Sequence, residues 1–212
     1  MDLARPLTVI TPTVDADVLA VLARAEASFT GRQVHQVAGR HSERGIRNAL
    51  HRLSAQGIVA RERVGSSDQY RLNRAHLAAP YVEALAKLRD ELLYRLTGEI
   101  EGWAVAPEFA ALFGSAARGE MHPESDIDLL VLRPDTVDAD APQWRTQLDA
   151  VASNVTAWTG NDTRILEFSV GEARKGLAAG DGVLLTARDQ GIVLHGPLTY
   201  LSDLARKVRR RG

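Results

Sequence analysis

Two acidic residues, Asp126 and Asp128, have the type and spacing in this chain that most directly indicate chemistry. They alternate within residues 125–132, an otherwise apolar run. Alternation along a strand places both carboxylates on one face, roughly 7 Å apart, and turns Ile127 and Leu129 towards a core. Two such carboxylates repel each other unless cations lie between them. Mg²⁺ suits this position, because it prefers carboxylate and phosphate oxygens. The alternative is a surface strand that merely carries two acids.

A glycine and a serine, Gly114 and Ser115, directly follow a second apolar run, residues 109–113. A glycine lets the backbone approach a phosphate closely. Ser115 can cap the short helix that we expect next, and the amide groups at a helix start favour an anion. Arg118 either contacts phosphate or fixes the loop by pairing with an acid such as Glu124.

The spacing Gly-Ser, ten intervening residues, then Asp126-Ile127-Asp128 resembles the signature of the DNA polymerase β-like nucleotidyltransferase superfamily. The sequence of residues 113–119 and 125–129 resembles that of the minimal nucleotidyltransferase branch of this superfamily. The resemblance covers residues 104–196. It implies a mixed sheet flanked by helices. It also implies two Mg²⁺ ions on the aspartates and a nucleoside triphosphate, most simply ATP, held by Gly114, Ser115, Arg118 and Ser125. An acceptor hydroxyl would attack the α-phosphate, and pyrophosphate would leave.

The same resemblance implies a third carboxylate on a later strand, which helps to hold one metal ion and to activate the acceptor. The chain downstream predicts a helix over residues 143–158, a turn over 159–162 and a strand over 163–170. Glu167 is the acid at the centre of that strand. We therefore predict Glu167 as the third catalytic and metal-binding residue, with an exposed strand glutamate as the alternative. Asp162 is predicted to cap the turn.

The first 75 residues predict three short helices followed by a β-hairpin with strands at 58–64 and 69–72. Val34 and Val37 are expected to face inward from the second helix. Ser42 is placed to cap the third helix and Gly57 to end it. This order resembles the winged helix-turn-helix domain of bacterial transcriptional regulators, in which the third helix enters the major groove.

The exposed face of that third helix carries side chains suited to DNA. Arginine can read guanine and asparagine can read adenine in the major groove. A winged helix that serves protein contacts or dimerisation is the alternative. The DNA-binding candidates are Ser42, Arg44, Arg47, Asn48 and His51.

The formal net charge of −1 hides an uneven distribution. Residues 1–74 carry 11 Lys and Arg against 7 Asp and Glu, whereas residues 75–204 carry 10 against 20. The last eight residues carry 5 basic and no acidic side chains. The asymmetry predicts two parts with different partners and a boundary near residue 75. The basic tail, residues 197–212, either contacts nucleic acid or is solvated.

The segment between the two parts, residues 76–103, contains an apolar stripe typical of one amphipathic helix over residues 80–101. That helix can bridge the domains, pair two subunits in a homodimer, or pack on the second domain. The stripe consists of Tyr81, Leu85, Leu88, Leu92, Leu96 and Ile100.

The chain has no cysteine, which excludes disulfides and thiol catalysis. We find no membrane-spanning run and no secretory leader, so we expect a cytoplasmic protein. The fold class expected is α+β, a winged helix followed by a polymerase β-like nucleotidyltransferase domain. The resemblance suggests an enzyme that transfers AMP to a protein hydroxyl, as antitoxins do to a HEPN-domain ribonuclease, while tethered to double-stranded DNA. The alternatives are a transcriptional regulator that only binds nucleotide and an antitoxin that neutralises by contact.

Overall fold

A computed structural model describes the backbone of residues 1–209 and the side chains of residues 1–206. It is an α+β protein, as expected, and forms two compact units. One consists of residues 4–89 with Asp2, and the other of residues 90 onward with Met1 and Leu3. None of the described helices is long and apolar enough to cross a membrane.

The N-terminal unit has the helix order that the sequence predicts. After a 3₁₀ turn at Pro6–Val9, α1 (Val14–Ala23), α2 (Gly31–Ala38) and α3 (Glu43–Ala55) precede the hairpin of β2 (Val59–Val64) and β3 (Ser67–Leu72). A two-residue strand, β1 (Phe29–Thr30), pairs with β3 and gives the antiparallel order β1-β3-β2. The hairpin turn is tighter than predicted, because Gly65 takes φ +60° and Val64 pairs directly with Ser67.

Helix α2 buries less than its sequence suggests. Thr30 and Gln33 form a reciprocal cap at its start. Val34 is fully buried, but Val37 is 64% exposed, so the prediction that Val37 faces inward is wrong. The helix has only eight residues, and it contacts the core through Val34 and, one full turn later, Ala38.

The linking segment is two helices, not the single helix predicted. Helix α4 (Ala79–Ala86) ends at Lys87, and α5 (Leu88–Glu101) begins there. Val82 and the stripe residue Leu85, both of α4, pack in the core of the N-terminal unit, whereas Leu96 of α5 lies in the core of the C-terminal unit. Tyr81, which we expected in the stripe, is 72% exposed. A single apolar stripe in the sequence therefore serves two separate cores.

The C-terminal unit is built on a four-stranded mixed sheet in the order β6-β5-β4-β7. Strand β4 is antiparallel to both β5 and β7, whereas β5 and β6 are parallel and are joined through α7. The strands and helices of this unit, after α5, are β4 (Phe109–Phe113), α6 (Gly114–Arg118), β5 (Ile127–Arg133), α7 (Pro142–Thr159), β6 (Thr163–Ser169), α8 (Val170–Ala179), α9 (Gly182–Gln190), β7 (Ile192–His195) and α10 (Tyr200–Arg209).

Helices cover both faces of this sheet. On one face, Ile127, Leu129 and Val131 of β5 pack with Trp144 of α7 and with α5. On the other face, Leu130 and Leu132 pack with α8, α9 and α10. The side chains of β5 thus alternate between two cores. The face on which any β5 side chain lies therefore follows from its position in the strand.

The predicted basic tail is largely helical. Helix α10 is held by Leu201 and Leu204, which are buried at a spacing of three residues. Residues 210–212, which include two of the arginines of the predicted nucleic-acid contact, lie outside the described residues.

Candidate nucleotide site and DNA-binding helix

The turn from β4 into α6 brings Gly114 against Asp128. Phe113 pairs with Asp128 across the two strands, and Gly114 takes φ +70°. A Cβ atom on Gly114 would overlap Oδ2 of Asp128. A glycine therefore suits this position for two reasons: its backbone is left-handed, and any larger residue would displace the Asp128 carboxylate from its present position.

Helix α6 begins two residues earlier than a Ser115 cap would place it, at Gly114 itself. Ser115 therefore lies inside the helix and does not cap it; no side-chain cap bond is formed at its start. The carbonyl of Ser115 accepts hydrogen bonds from the amides of Gly119 and Glu120. The predicted role of Ser115 as a cap is wrong, whereas its half-buried hydroxyl stays a candidate for a ligand.

Arg118 is tied to neighbouring side chains in a loop-fixing arrangement. Its Nε donates to Glu120 at 2.6 Å, and its Nη1 donates to Gln190 at 3.3 Å. The acid we expected, Glu124, instead lies 3.3 Å from His122. The structure thus favours the loop-fixing alternative for Arg118, with a different acid as its partner.

Ser125 and Asn161 build the loop that enters β5. The Ser125 hydroxyl accepts from the amide of His122 at 3.1 Å. The side-chain amide of Asn161, which is only 3% exposed, donates to the carbonyls of Ser125 at 2.8 Å and Pro123 at 2.9 Å. Ser125 therefore holds the loop in position. We did not single out Asn161 from the sequence, where it looks like an ordinary turn residue.

Asp126 and Asp128 lie on the same side of the sheet, as predicted. Burial, and then the charge of Asp126, raise the pKa of Asp128, while Arg164 and Arg118 oppose this rise. Arg164 of β6 is in register with Asp128 of β5. Its Nη2 lies 2.8 Å from Oδ2 of Asp126. The repulsion expected between the two acids is thus relieved in part by an arginine that the sequence did not mark as important.

Glu167 lies on the opposite face of the sheet from the two aspartates. It is in register with Val131 of β5, and its Oε1 accepts from Trp144 Nε1 at 2.8 Å and from Arg133 Nε at 2.7 Å. Arg145 of α7 lies 3.6 Å from its other oxygen. The prediction of Glu167 as a third metal ligand is therefore wrong, because strand alternation turns it towards α7.

The carboxylates of Asp126 and Asp128 suit one Mg²⁺ ion. Magnesium is typically held by one or two carboxylates together with substrate phosphates. A second ion is a poorer fit, because within residues 1–206 no group of three or more His, Cys, Asp or Glu is gathered for a metal. Arg164 is bound to one of the two available carboxylates. The donors present thus fit a single ion shared with a nucleotide.

In the N-terminal unit, α3 presents the predicted DNA-binding side chains to solvent. Ser42 caps the helix by accepting from the amide of Gly45 at 3.1 Å, so its hydroxyl is already engaged. The other four candidates are exposed: Arg44, Arg47, Asn48 and His51. Arg52, which we had not selected, is held by Asp15 of α1 at 2.9 Å. The structure therefore brings the four exposed candidates onto one helix without tying them to the fold.

Comparison with known proteins supports a nucleotidyltransferase domain in the C-terminal unit. Residues 101–169, which contain β4 to β6, match the family model described as nucleotidyltransferase domain. Among solved structures, a toxin-antitoxin with AMP-PNP is 20% identical, with 57% of this chain and 85% of that chain covered and a TM-score of 0.38. A mutant of the MntA-HpeT toxin-antitoxin is 18% identical, with coverages of 56% and 84% and a TM-score of 0.39.

A third structure covers more of this chain. It is TrmBL2, described as an archaeal chromatin protein with a novel mode of DNA binding. It is 15% identical, with 78% of this chain and 66% of that chain covered and a TM-score of 0.29.

Proposed function

We propose that the C-terminal unit is a Mg²⁺-dependent nucleotidyltransferase that binds ATP and transfers AMP to a hydroxyl group. The observation that carries this proposal is the meeting of Asp126, Asp128 and the Gly114 turn on one side of the sheet. The backbone at Gly114 lies beside the carboxylate of Asp128 and carries no Cβ, so a phosphate can approach it closely. The family match over the same residues agrees with this chemistry.

The chemistry needs little from the chain besides binding and orientation. A magnesium ion bound with the nucleotide would neutralise phosphate charge and polarise the α-phosphate. Asp126 and Asp128 would hold that ion, and the Gly114 turn would receive the distal phosphates. A bond forms between the acceptor oxygen and the α-phosphorus, the bond from that phosphorus to the pyrophosphate oxygen breaks, and the acceptor proton passes to solvent.

A protein acceptor follows from the resemblance to the minimal branch. Relatives of that branch act as antitoxins that modify a HEPN-domain ribonuclease, and an N-terminal winged helix would suit autoregulation of such a pair. The test is incubation of the purified chain with Mg²⁺, α-labelled ATP and the proteins encoded beside its gene. We expect label on one acceptor together with released pyrophosphate, and neither in EDTA. Nucleotide binding without label or pyrophosphate would contradict the enzyme.

A nucleotide-binding regulator without transfer is the second candidate function. The observation that favours it concerns β6. The side chain that this strand places beside the aspartates is the cation Arg164, whereas its acid, Glu167, faces away. The labelling experiment separates the two candidates, because a regulator would bind ATP and release no pyrophosphate.

A pair of glycine variants tests whether Asp128 must keep its position. Gly114→Ala and Gly119→Ala both place a side chain at φ +70°, which costs about 1 kcal/mol of stability each. An added Cβ meets Asp128 at Gly114 and nothing within 4 Å at Gly119. We expect only Gly114→Ala to weaken ATP binding, measured by calorimetry in Mg²⁺, by about tenfold or more. Equal ATP affinity in the two variants would contradict this role of Asp128.

We propose further that the N-terminal unit binds double-stranded DNA through α3. Arg44→Ala and Arg47→Ala should each weaken binding to a random-sequence duplex by about tenfold and lower the salt dependence, because each removes one cation that can contact phosphate. Arg24→Ala, an exposed arginine at the end of α1, is the matched control. If fluorescence anisotropy shows the same loss for all three variants, α3 is not the reading helix.

A further inference from the structure

Arg164 lies in the candidate site and has no role in the chemistry proposed above. It stands directly opposite Asp128 on the neighbouring parallel strand, and it contacts Asp126 at 2.8 Å. Both aspartates and Arg164 therefore lie on one face at one end of β5 and β6. The site contains two negative charges and one fixed positive charge.

We propose that Arg164 takes the place of a second metal ion. Its positive charge binds the triphosphate, so that the site binds ATP with one divalent ion. This inference rests on the proposed function and names how the same site recognises its nucleotide. It also accounts for the mismatch between the donors present and a two-ion site.

The geometry leaves Arg164 able to contact a phosphate while it stays near Asp126. Its side chain is 70% exposed, and the ion pair with Asp126 is made by a terminal nitrogen, Nη2, at 2.8 Å. A guanidinium has five N–H donors in a planar fork that matches phosphate oxygens. The exposed part of this fork can therefore contact a ligand while Nη2 stays near Asp126.

The other nearby arginines are engaged elsewhere. Arg118 donates to Glu120 and Gln190, and Arg133 donates to Glu167 on the opposite face. Arg118 also acts on Asp128 through its charge, but among the described residues Arg164 is the cation in direct contact with an aspartate of the pair.

A purely structural role for Arg164 makes a different prediction. An ion pair as exposed as this one contributes at most about 1 kcal/mol to folding. Arg164→Ala should therefore leave the melting temperature nearly unchanged. If Arg164 binds phosphate, the same variant should lose ATP affinity by about 10- to 100-fold, the size expected for a charge-assisted hydrogen bond.

The first experiment measures binding of the non-transferable analogue α,β-methylene-ATP to the full chain by calorimetry, with Mg²⁺ and with EDTA. We expect Arg164→Ala to lose affinity in both conditions and Arg164→Lys to recover part of it as a point charge. Arg95→Ala is the matched control, because Arg95 forms a similar exposed pair with Glu91 at 2.7 Å. Wild-type affinity in Arg164→Ala would overturn the inference.

The second experiment counts Mn²⁺ ions in the analogue complex by electron paramagnetic resonance. We expect one ion per wild-type chain and a second ion in Arg164→Asp, where a third carboxylate joins the pair. Two ions in the wild type would overturn the inference and leave the proposed transferase standing. Failure of the wild type to bind the analogue at all would instead overturn the proposed function together with this inference.

Discussion

Asp128→Ala should lower the rate of nucleotidyl transfer by about 10³-fold or more, while the fold survives. The variant removes one of the two carboxylates that can hold the metal ion, and metal stabilisation of the reacting phosphate supplies several kcal/mol. The rate is measured as label transferred from α-labelled ATP per folded chain. Transfer at the wild-type rate would contradict the assignment of Asp128.

Two further variants make the loss attributable to chemistry. Asp149→Ala removes an exposed acid of α7, on the other face of the sheet, and should transfer at the wild-type rate. Asp128→Asn keeps the shape of the side chain. Because burial and Asp126 raise the pKa of Asp128, its ionised form costs stability in the fold once the pH exceeds the ordinary value of 3.8. Asp128→Asn should therefore not lower the melting temperature at neutral pH.

Glu167→Ala should lower stability, whereas Asp128→Ala should lower the transfer rate. We expect a loss of about 3 kcal/mol in the free energy of unfolding of the C-terminal unit. The variant leaves Arg133, which is 11% exposed, without its carboxylate and the indole N–H of buried Trp144 without an acceptor. Breaking a buried pair from one side is costly because the remaining charge is not solvated. All three tryptophans, at 103, 144 and 158, belong to this unit, so their fluorescence during urea unfolding reports on it alone.

A conservative variant separates a structural role from a catalytic one. Glu167→Gln keeps an oxygen for Trp144 and should stay folded at low temperature, with the wild-type transfer rate per folded molecule. Glu101→Ala, an exposed acid at the end of α5, is the control and should change the stability by less than about 0.5 kcal/mol. A folded Glu167→Gln protein without transfer activity would restore Glu167 to the catalytic site.

The contrast between Asp128 and Glu167 shows how far alternation within one strand can be trusted. The alternation correctly placed Asp126, which directly precedes β5, and Asp128 on one face. Whether an acid on β6 shares that face depends on the pairing of β6 with β5, which places Arg164, and not Glu167, opposite Asp128. A shift of one residue in this register would exchange the two faces. No local pattern in residues 163–169 determines that register.

The linking segment illustrates the same limit for helices. Its stripe predicts an amphipathic helix, and helices do form over most of residues 79–101. The break at Lys87 has no proline or glycine signal in the sequence. It becomes visible only when Val82 and Leu96 are assigned to different cores.

The sequence by itself determined the helix order of the N-terminal unit, the mixed α+β class, the paired aspartates beside a glycine turn and the exposed basic face of α3. These features depend on local periodicity, turn chemistry and spacing along the chain, which are properties of neighbouring residues. Only the tertiary structure decided that Glu167 supports α7, that Asn161 holds the loop before β5 and that Arg164 faces the aspartates. The reason is physical: each of these contacts joins segments more than twenty residues apart, and strand register and packing, not local sequence, bring such segments together.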